Sequence, residues 1–530
     1  MDIALLYADQ DKFSASCVQS ALRRSFTVVV ISSFEFADDC LSTFSPNIIV
    51  LINPQDSERA LLQRLAQRGR KLILLGNLGD KLATDVGLEV STLRPEAESW
   101  GAVQLSADNA FDAAVASVVY TYNHPLTAQL SLRHRPLSRY DFTDEWNTLG
   151  FGRITVDGGL WSISQQAIAT QAQVVAQISN VQGETLTAYA AIADRADSSI
   201  LWFNRAVGPI DSLEWTMIEA FCSDYRAEEL ACIPYVLEIP AGYDGAMTMR
   251  LDCDQAIATA RPLFELYQDL GVPLSLAVVT GLPPEPSDMK LLRDVLSNGG
   301  AVISHSNSHP PNWGADYAIA LREAKDSRAW LEANLPQAYP VHYAVSPFHQ
   351  NPPYAVRALS DAGYLGFVGG IIHNNPEYLL ARSGLAPLCE APIISHSQQC
   401  MFHGDCYHRY GNSVAPYCES FTHHLRAESI FGYLDHPFSS SYQYGWNSES
   451  ERLLAHASFL KFVKAHGDIW FPNLVECLEF VRKRSLLRLS IDKDQLIQAS
   501  WHSAEVPLKA TPPLQVRWRG KTTTLADPVL

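Results

Sequence analysis

Met249-Arg250-Leu251-Asp252-Cys253-Asp254 and, further along the chain, His305-Ser306-Asn307-Ser308-His309 are the stretches that decide how this sequence reads. Side chains on a strand alternate with a period of two, so Asp252 and Asp254 fall on one face. Two histidines at i and i+4 meet on one face of a helical turn. Carboxylate oxygens and imidazole nitrogens are ligands for zinc and related divalent ions. Three of these four residues can therefore hold a metal, and the fourth can act as a base beside it.

The rest of the chain bounds what surrounds that constellation. With 530 residues it is too long for a single core and should divide into several domains. Its composition is globular, 47% hydrophobic and 18% charged. Lys+Arg 40 against Asp+Glu 57 gives a net charge of −17, which argues against a nucleic-acid or anionic-membrane partner. No apolar run is long enough for a transmembrane helix. The opening Met1-Asp2-Ile3-Ala4-Leu5-Leu6-Tyr7 reads as a first strand rather than a signal peptide, so a cytoplasmic location is expected.

Residues 1–125 alternate short apolar runs at 3–7, 27–32, 48–52 and 71–75 with helical patterns at 13–24 and 58–68. This is the pattern of a doubly wound parallel α/β domain. It resembles a receiver or flavodoxin-like domain, or an amidotransferase core, without the chemistry of either. Asn53 stands where a receiver needs Asp, and there is no nucleophile elbow, Gly-rich dinucleotide fingerprint or P-loop. The domain is expected to be a non-catalytic scaffold, and a candidate surface for a homo-oligomer or a biosynthetic partner. Residues 126–235 are richer in strand signals and form an accessory region that can complete the first sheet.

Residues 236–485 return to strand–helix units. A strand at 247–251 should lead into a helix over 253–270, and strands at 274–279 and 301–304 follow, the last delivering His305. Motif residues fall just past strand C-termini, the end at which barrel folds carry their active sites. Within this region Cys389, Cys400, Cys406 and Cys418 cluster with His396, His403 and His408. Free thiols are the first expectation, with a Cys400–Cys406 disulfide or a second metal site as alternatives. The tail, 486–530, is short-stranded.

With these motifs in place, residues 247–480 resemble the NodB-type polysaccharide deacetylases, carbohydrate esterase family 4. The resemblance implies a distorted (β/α) barrel and one divalent metal: zinc first, with nickel or cobalt as alternatives. Its first motif implies Asp252 as base and Asp254 as ligand, with the two roles exchangeable. Its second, H-[ST]-x-x-H, implies His305 and His309 as the other ligands. Its fifth, in Tyr433-Leu434-Asp435-His436-Pro437, implies His436 as the general acid. The third motif keeps its proline and aromatic as Pro347 and Phe348 but lacks the family's base-orienting arginine, with Ala344-Val345-Ser346 ahead of them. Asp405 is the substitute for the fourth-motif aspartate. Trp313, Phe348 and Trp446 can stack on sugar faces or simply pack. The expected function is a metal-dependent hydrolase that removes N-acetyl or related acyl groups from an amino-sugar polymer or oligomer. An inactive carbohydrate-binding scaffold and an allantoinase-like amide hydrolase are the alternatives.

Overall fold

The computed structural model describes residues 3–27, 31–35, 46–66, 69–91, 116–132, 134–136, 165–180, 182–209, 212–337, 339, 341–369, 382–387, 389–390, 392–397, 400–492, 494, 496–502 and 506–526. Two large sheets organise them.

The first sheet has nine strands, in the order Ile31–Glu35, Ile3–Tyr7, Ile48–Ile52, Arg70–Leu75, Ser198–Phe203, Thr185–Arg195, Gln173–Asn180, Ala116–Tyr120 and Arg135–Pro136. The first five are parallel, and the rest are added antiparallel. Strands from both sides of residue 125 thus share one sheet. Every residue of Ile48–Ile52 is buried, as a parallel strand covered on both faces requires. Each such side chain contributes about 1.5–3 kcal/mol by leaving water.

The second sheet runs Gly384–Leu385, Ile394–Ser397, Gly366–Gly369, Tyr343–Val345, Ala301–Ser304, Ser275–Val278, Gly245–Cys253, Phe431–Asp435 and Cys400–Met401, with Ile469–Trp470 paired beside Gly245–Cys253. All pairings but the first are parallel. Between the strands lie helices Arg261–Asp269, Pro286–Ser297, Tyr317–Asn334 and Pro353–Asp361. This is a mixed α/β body with a curled sheet, whose ladder is an open path among the described residues.

The helix expected over 253–270 is shorter than its sequence pattern. Cys253 still belongs to the strand, a single 3-10 turn covers Ile257–Ala260, and the α-helix starts only at Arg261. Pro262 sits in its first turn, where a missing N–H costs nothing. The residues freed from the helix, beginning with Asp254, line the site instead.

The two sheets meet across buried charge. Arg382 donates to Glu219 at 2.6 Å, both almost fully buried. Arg24 reaches from the first helix to the Leu385 carbonyl at 3.0 Å and to Ser395 Oγ at 2.6 Å. The tail folds back, and its hairpin of Gln515–Trp518 and Lys521–Thr524 pairs with Tyr235–Val236.

Candidate metal centre and its neighbours

Gly245–Cys253 is buried along its whole length. Thr248, Arg250 and Asp252 share one of its faces by the period of two, and Asp254 follows just past its end. Arg250 is fully buried and grips Asp252 with two hydrogen bonds, Nε to Oδ1 at 2.6 Å and Nη2 to Oδ2 at 3.0 Å. Burial alone would push the Asp252 carboxyl up. The guanidinium of Arg250, with His305 and His436 beyond it, overrides that and holds the group well below the ordinary carboxylate range. Asp252 is therefore held as a carboxylate.

Asp254 is held differently. Burial raises its pKa to about 6, and its Oδ1 is buried with no hydrogen-bond partner. That oxygen lies 3.5 Å from His305 Nε2 and 3.7 Å from His309 Nε2. One ligand atom from each of these three residues falls within 4.8 Å of the others.

The segment from His305 to His309 is not the helical turn expected of it. Ser306 and His309 take left-handed φ values of 63° and 55°. Glu323, on helix Tyr317–Asn334, accepts from the backbone N–H groups of Asn307 (2.9 Å) and Ser308 (2.7 Å) and from Ser308 Oγ (2.7 Å). A carboxylate thus satisfies two amides of this loop. The two rings still meet, with centroids 4.6 Å apart.

Their protonation suits a metal. His305 Nδ1 lies 3.1 Å from the Val345 carbonyl. A carbonyl only accepts, so Nδ1 donates to it and Nε2 is the ring atom turned toward Asp254. Burial, and then the neighbouring His305, lower His309 to about 3, leaving it neutral. An orphaned carboxylate oxygen beside two imidazole nitrogens, one oriented by a backbone carbonyl, is a donor set that fits a divalent ion.

His436 follows strand Phe431–Asp435, with Nε2 3.6 Å from Asp254 Oδ2. Its Nδ1 is 3.0 Å from His403 Nε2. Burial, and then His403, hold its pKa well below the usual histidine value. His403, Asp435 and His436 also come within 4.8 Å of one another. Asp435 is already committed, accepting from Arg452 (3.0 Å), His456 (2.9 Å) and the His436 backbone N–H (2.8 Å). This second trio is a hydrogen-bond network, which accounts for its closeness.

Asp405 stands exposed in the first turn of helix Gly404–Arg409, so His403, not Asp405, is the residue at His436 Nδ1. Phe348 is 50% exposed, and its ring lies 4.6 Å from that of His309. Pro347, Trp313 and Trp446 are buried and belong to the packing around the site, not to a surface that a sugar could meet. Phe348 and His349 have consecutive positive φ values of 52° and 57°, a strained turn beside the site. His349 Nδ1 lies 3.5 Å from Arg250 Nη2. Cys389, Cys400, Cys406 and Cys418 are free thiols.

Sequence reasoning missed three neighbours of the site. Arg250 was legible, because the rule that pairs Asp252 with Asp254 also puts Arg250 on their face. A guanidinium thus meets Asp252 from the same strand. Tyr444 had no sequence signal, and His403 stood out only within the Cys/His cluster, since both arrive from loops remote in the chain.

No family model and no curated protein matches the sequence. Among solved structures, a protein of Mycobacterium smegmatis described as a polysaccharide deacetylase aligns over 49% of this chain and 97% of its own, at 14% identity and a TM-score of 0.37. The carbohydrate deacetylase Agd3 aligns over 99% of both chains at 11% identity, with a TM-score of 0.40. Puue allantoinase aligns over 46% of this chain and 92% of its own, at 11% identity and a TM-score of 0.36. These are distant structural likenesses, and the functional reading rests on the side chains. Among the described residues, no helix is long and apolar enough to cross a membrane.

Proposed function

We propose that this chain is a metal-dependent hydrolase that removes N-acetyl or related acyl groups from an amino-sugar polymer or oligomer. The observation that carries the reading is the convergence on Asp254. Its unpartnered Oδ1 faces His305 and His309, while the Arg250-bound Asp252 and His436 stand on either side.

Asp254, His305 and His309 would hold the metal, zinc in the first instance, which when bound supplies a Lewis acid for the scissile carbonyl. Asp252, kept ionised by Arg250, takes the proton of the attacking water. His436, once protonated, is a strong acid because burial and His403 lower its pKa, and it gives its Nε2 proton to the nitrogen of the departing amine, which would otherwise leave as a strongly basic anion. His403 at Nδ1 fixes the plane in which that transfer occurs. Phe348, exposed beside His309, offers an apolar face to a sugar ring. Arg250 also weighs against the inactive-scaffold reading, which drew its support from the absent third-motif arginine.

The test is metal content by elemental mass spectrometry, for the wild type and for Asp254→Ala, together with acetate release from N-acetylated amino-sugar oligomers. One divalent ion per chain, lost in the variant, with acetate release by the wild type, is the expected result. A chain that takes up no metal on reconstitution would overturn the proposal. A chain that opens cyclic ureides but releases no acetate would replace it with the allantoinase-like reading.

A further inference from the structure

Tyr444 touches both halves of the site and has no part in the reaction as written above. Its ring lies flat against the ring of His436, with centroids 4.0 Å apart and planes 14° from parallel. Its hydroxyl donates to Asp254 Oδ2 at 3.4 Å, the oxygen opposite the orphaned Oδ1. A second contact, with centroids 5.3 Å apart, reaches His403.

The backbone around Tyr444 is shaped to hold it there. Tyr444 itself takes a left-handed φ of 51°, and Gly445 follows at 77°. The Gly404 N–H, next to His403, donates to the Tyr444 carbonyl at 2.9 Å. A Cβ on Gly404 would lie 2.3 Å from the Gly445 carbonyl carbon, and one on Gly445 would lie 2.3 Å from the Asp405 amide nitrogen. The loop that carries Tyr444 is thus clamped backbone to backbone against the segment that carries His403. A non-glycine residue with positive φ is strained, and such strain persists only where the surroundings impose it.

We infer that Tyr444 is a positioning residue with two separable tasks. The hydroxyl orients Asp254 so that Oδ1 faces the metal, as partners behind a ligand commonly do. The ring fixes the plane of His436, so that Nε2 points at the leaving nitrogen. The inference rests on the proposed metal-dependent hydrolysis and adds a residue outside the motifs.

Two variants separate the tasks. Tyr444→Phe keeps the ring and removes the hydroxyl. Its zinc affinity, measured by competition with a chelator, should fall about 10–100-fold, with kcat at saturating zinc close to wild type. Tyr444→Leu removes both, so the same loss of affinity should be joined by a fall in kcat of about 10–100-fold at little change in KM. Melting temperatures, read alongside, check that both variants fold. A merely structural residue would shift the melting temperature and leave this split absent. If wild type binds zinc and Tyr444→Phe binds it as tightly, the hydroxyl task is overturned. If folded Tyr444→Leu keeps the wild-type kcat, the ring task is overturned. Neither outcome touches the metal reading, which fails only if wild type itself binds none.

Discussion

The C-terminal ends of the parallel strands in the two sheets carry polar residues in comparable places and use them in opposite ways. At the edge of the first sheet Asn53 closes a local circuit. Its Nδ2 donates to Asp11 Oδ1 at 2.6 Å, and its Oδ1 accepts from the Asn77 N–H at 2.8 Å. Among the described residues, no metal-holding group of histidine, cysteine or acidic side chains forms there. At the edge of the second sheet, two carboxylates face three imidazoles and a guanidinium, and one carboxylate oxygen stays unpartnered. Parallel sheets raise polar groups at this edge as a matter of topology. Whether they become a site depends on side chains of opposite character converging without cancelling one another.

The contrast breaks first at Asp252 and His436. Asp252→Asn and His436→Ala should each lower kcat by about 10²–10⁴ while keeping the metal, because each removes one proton transfer and no ligand. Full activity in either variant, measured on acetylated oligomers, would remove that residue from the mechanism.

The next effect is on stability. Arg250→Met leaves Asp252 charged and buried without its partner, at a cost of about 3–5 kcal/mol. Arg250→Lys should cost less, since it restores the charge without the two-pronged geometry. Urea unfolding measures both. If the methionine variant proves as stable as wild type, Arg250 is not what holds the carboxylate ionised.

The smallest effect is expected in the other sheet. Asn53→Asp sets a second carboxylate against Asp11 and removes a donor, which should destabilise the protein by about 1–3 kcal/mol. Turnover at a temperature where the variant is folded should be unchanged. A fall in turnover there would show that the first sheet shares in the chemistry, and the comparison between the two edges would collapse.

Much of the architecture was legible because hydrophobic period and glycine placement are local signals. The strand at 301–304 stands as Ala301–Ser304, and the strand at 247–251 lies within Gly245–Cys253. Gly299, with φ 77°, ends helix Pro286–Ser297, and a Cβ on Gly300 would lie 2.3 Å from the Leu274 carbonyl oxygen. Local rules misled where a distant side chain intervened. The His305–His309 segment is a loop whose amides donate to Glu323, and Asp254 lies outside the expected helix.

The sequence by itself determined which atoms are available: two carboxylates on one face of a strand, and histidines close enough in the chain to share a centre. Period two and short spacing are properties of the backbone, so no other part of the molecule is needed to read them. Tertiary structure alone decided that Asp254 Oδ1 stays without a hydrogen-bond partner, that His403 replaces a carboxylate behind His436, and that Tyr444 covers both. Those facts depend on segments far apart in the chain arriving within hydrogen-bond distance. Only packing of the whole second sheet, with its clamped Gly404–Gly445 contact, brings them there.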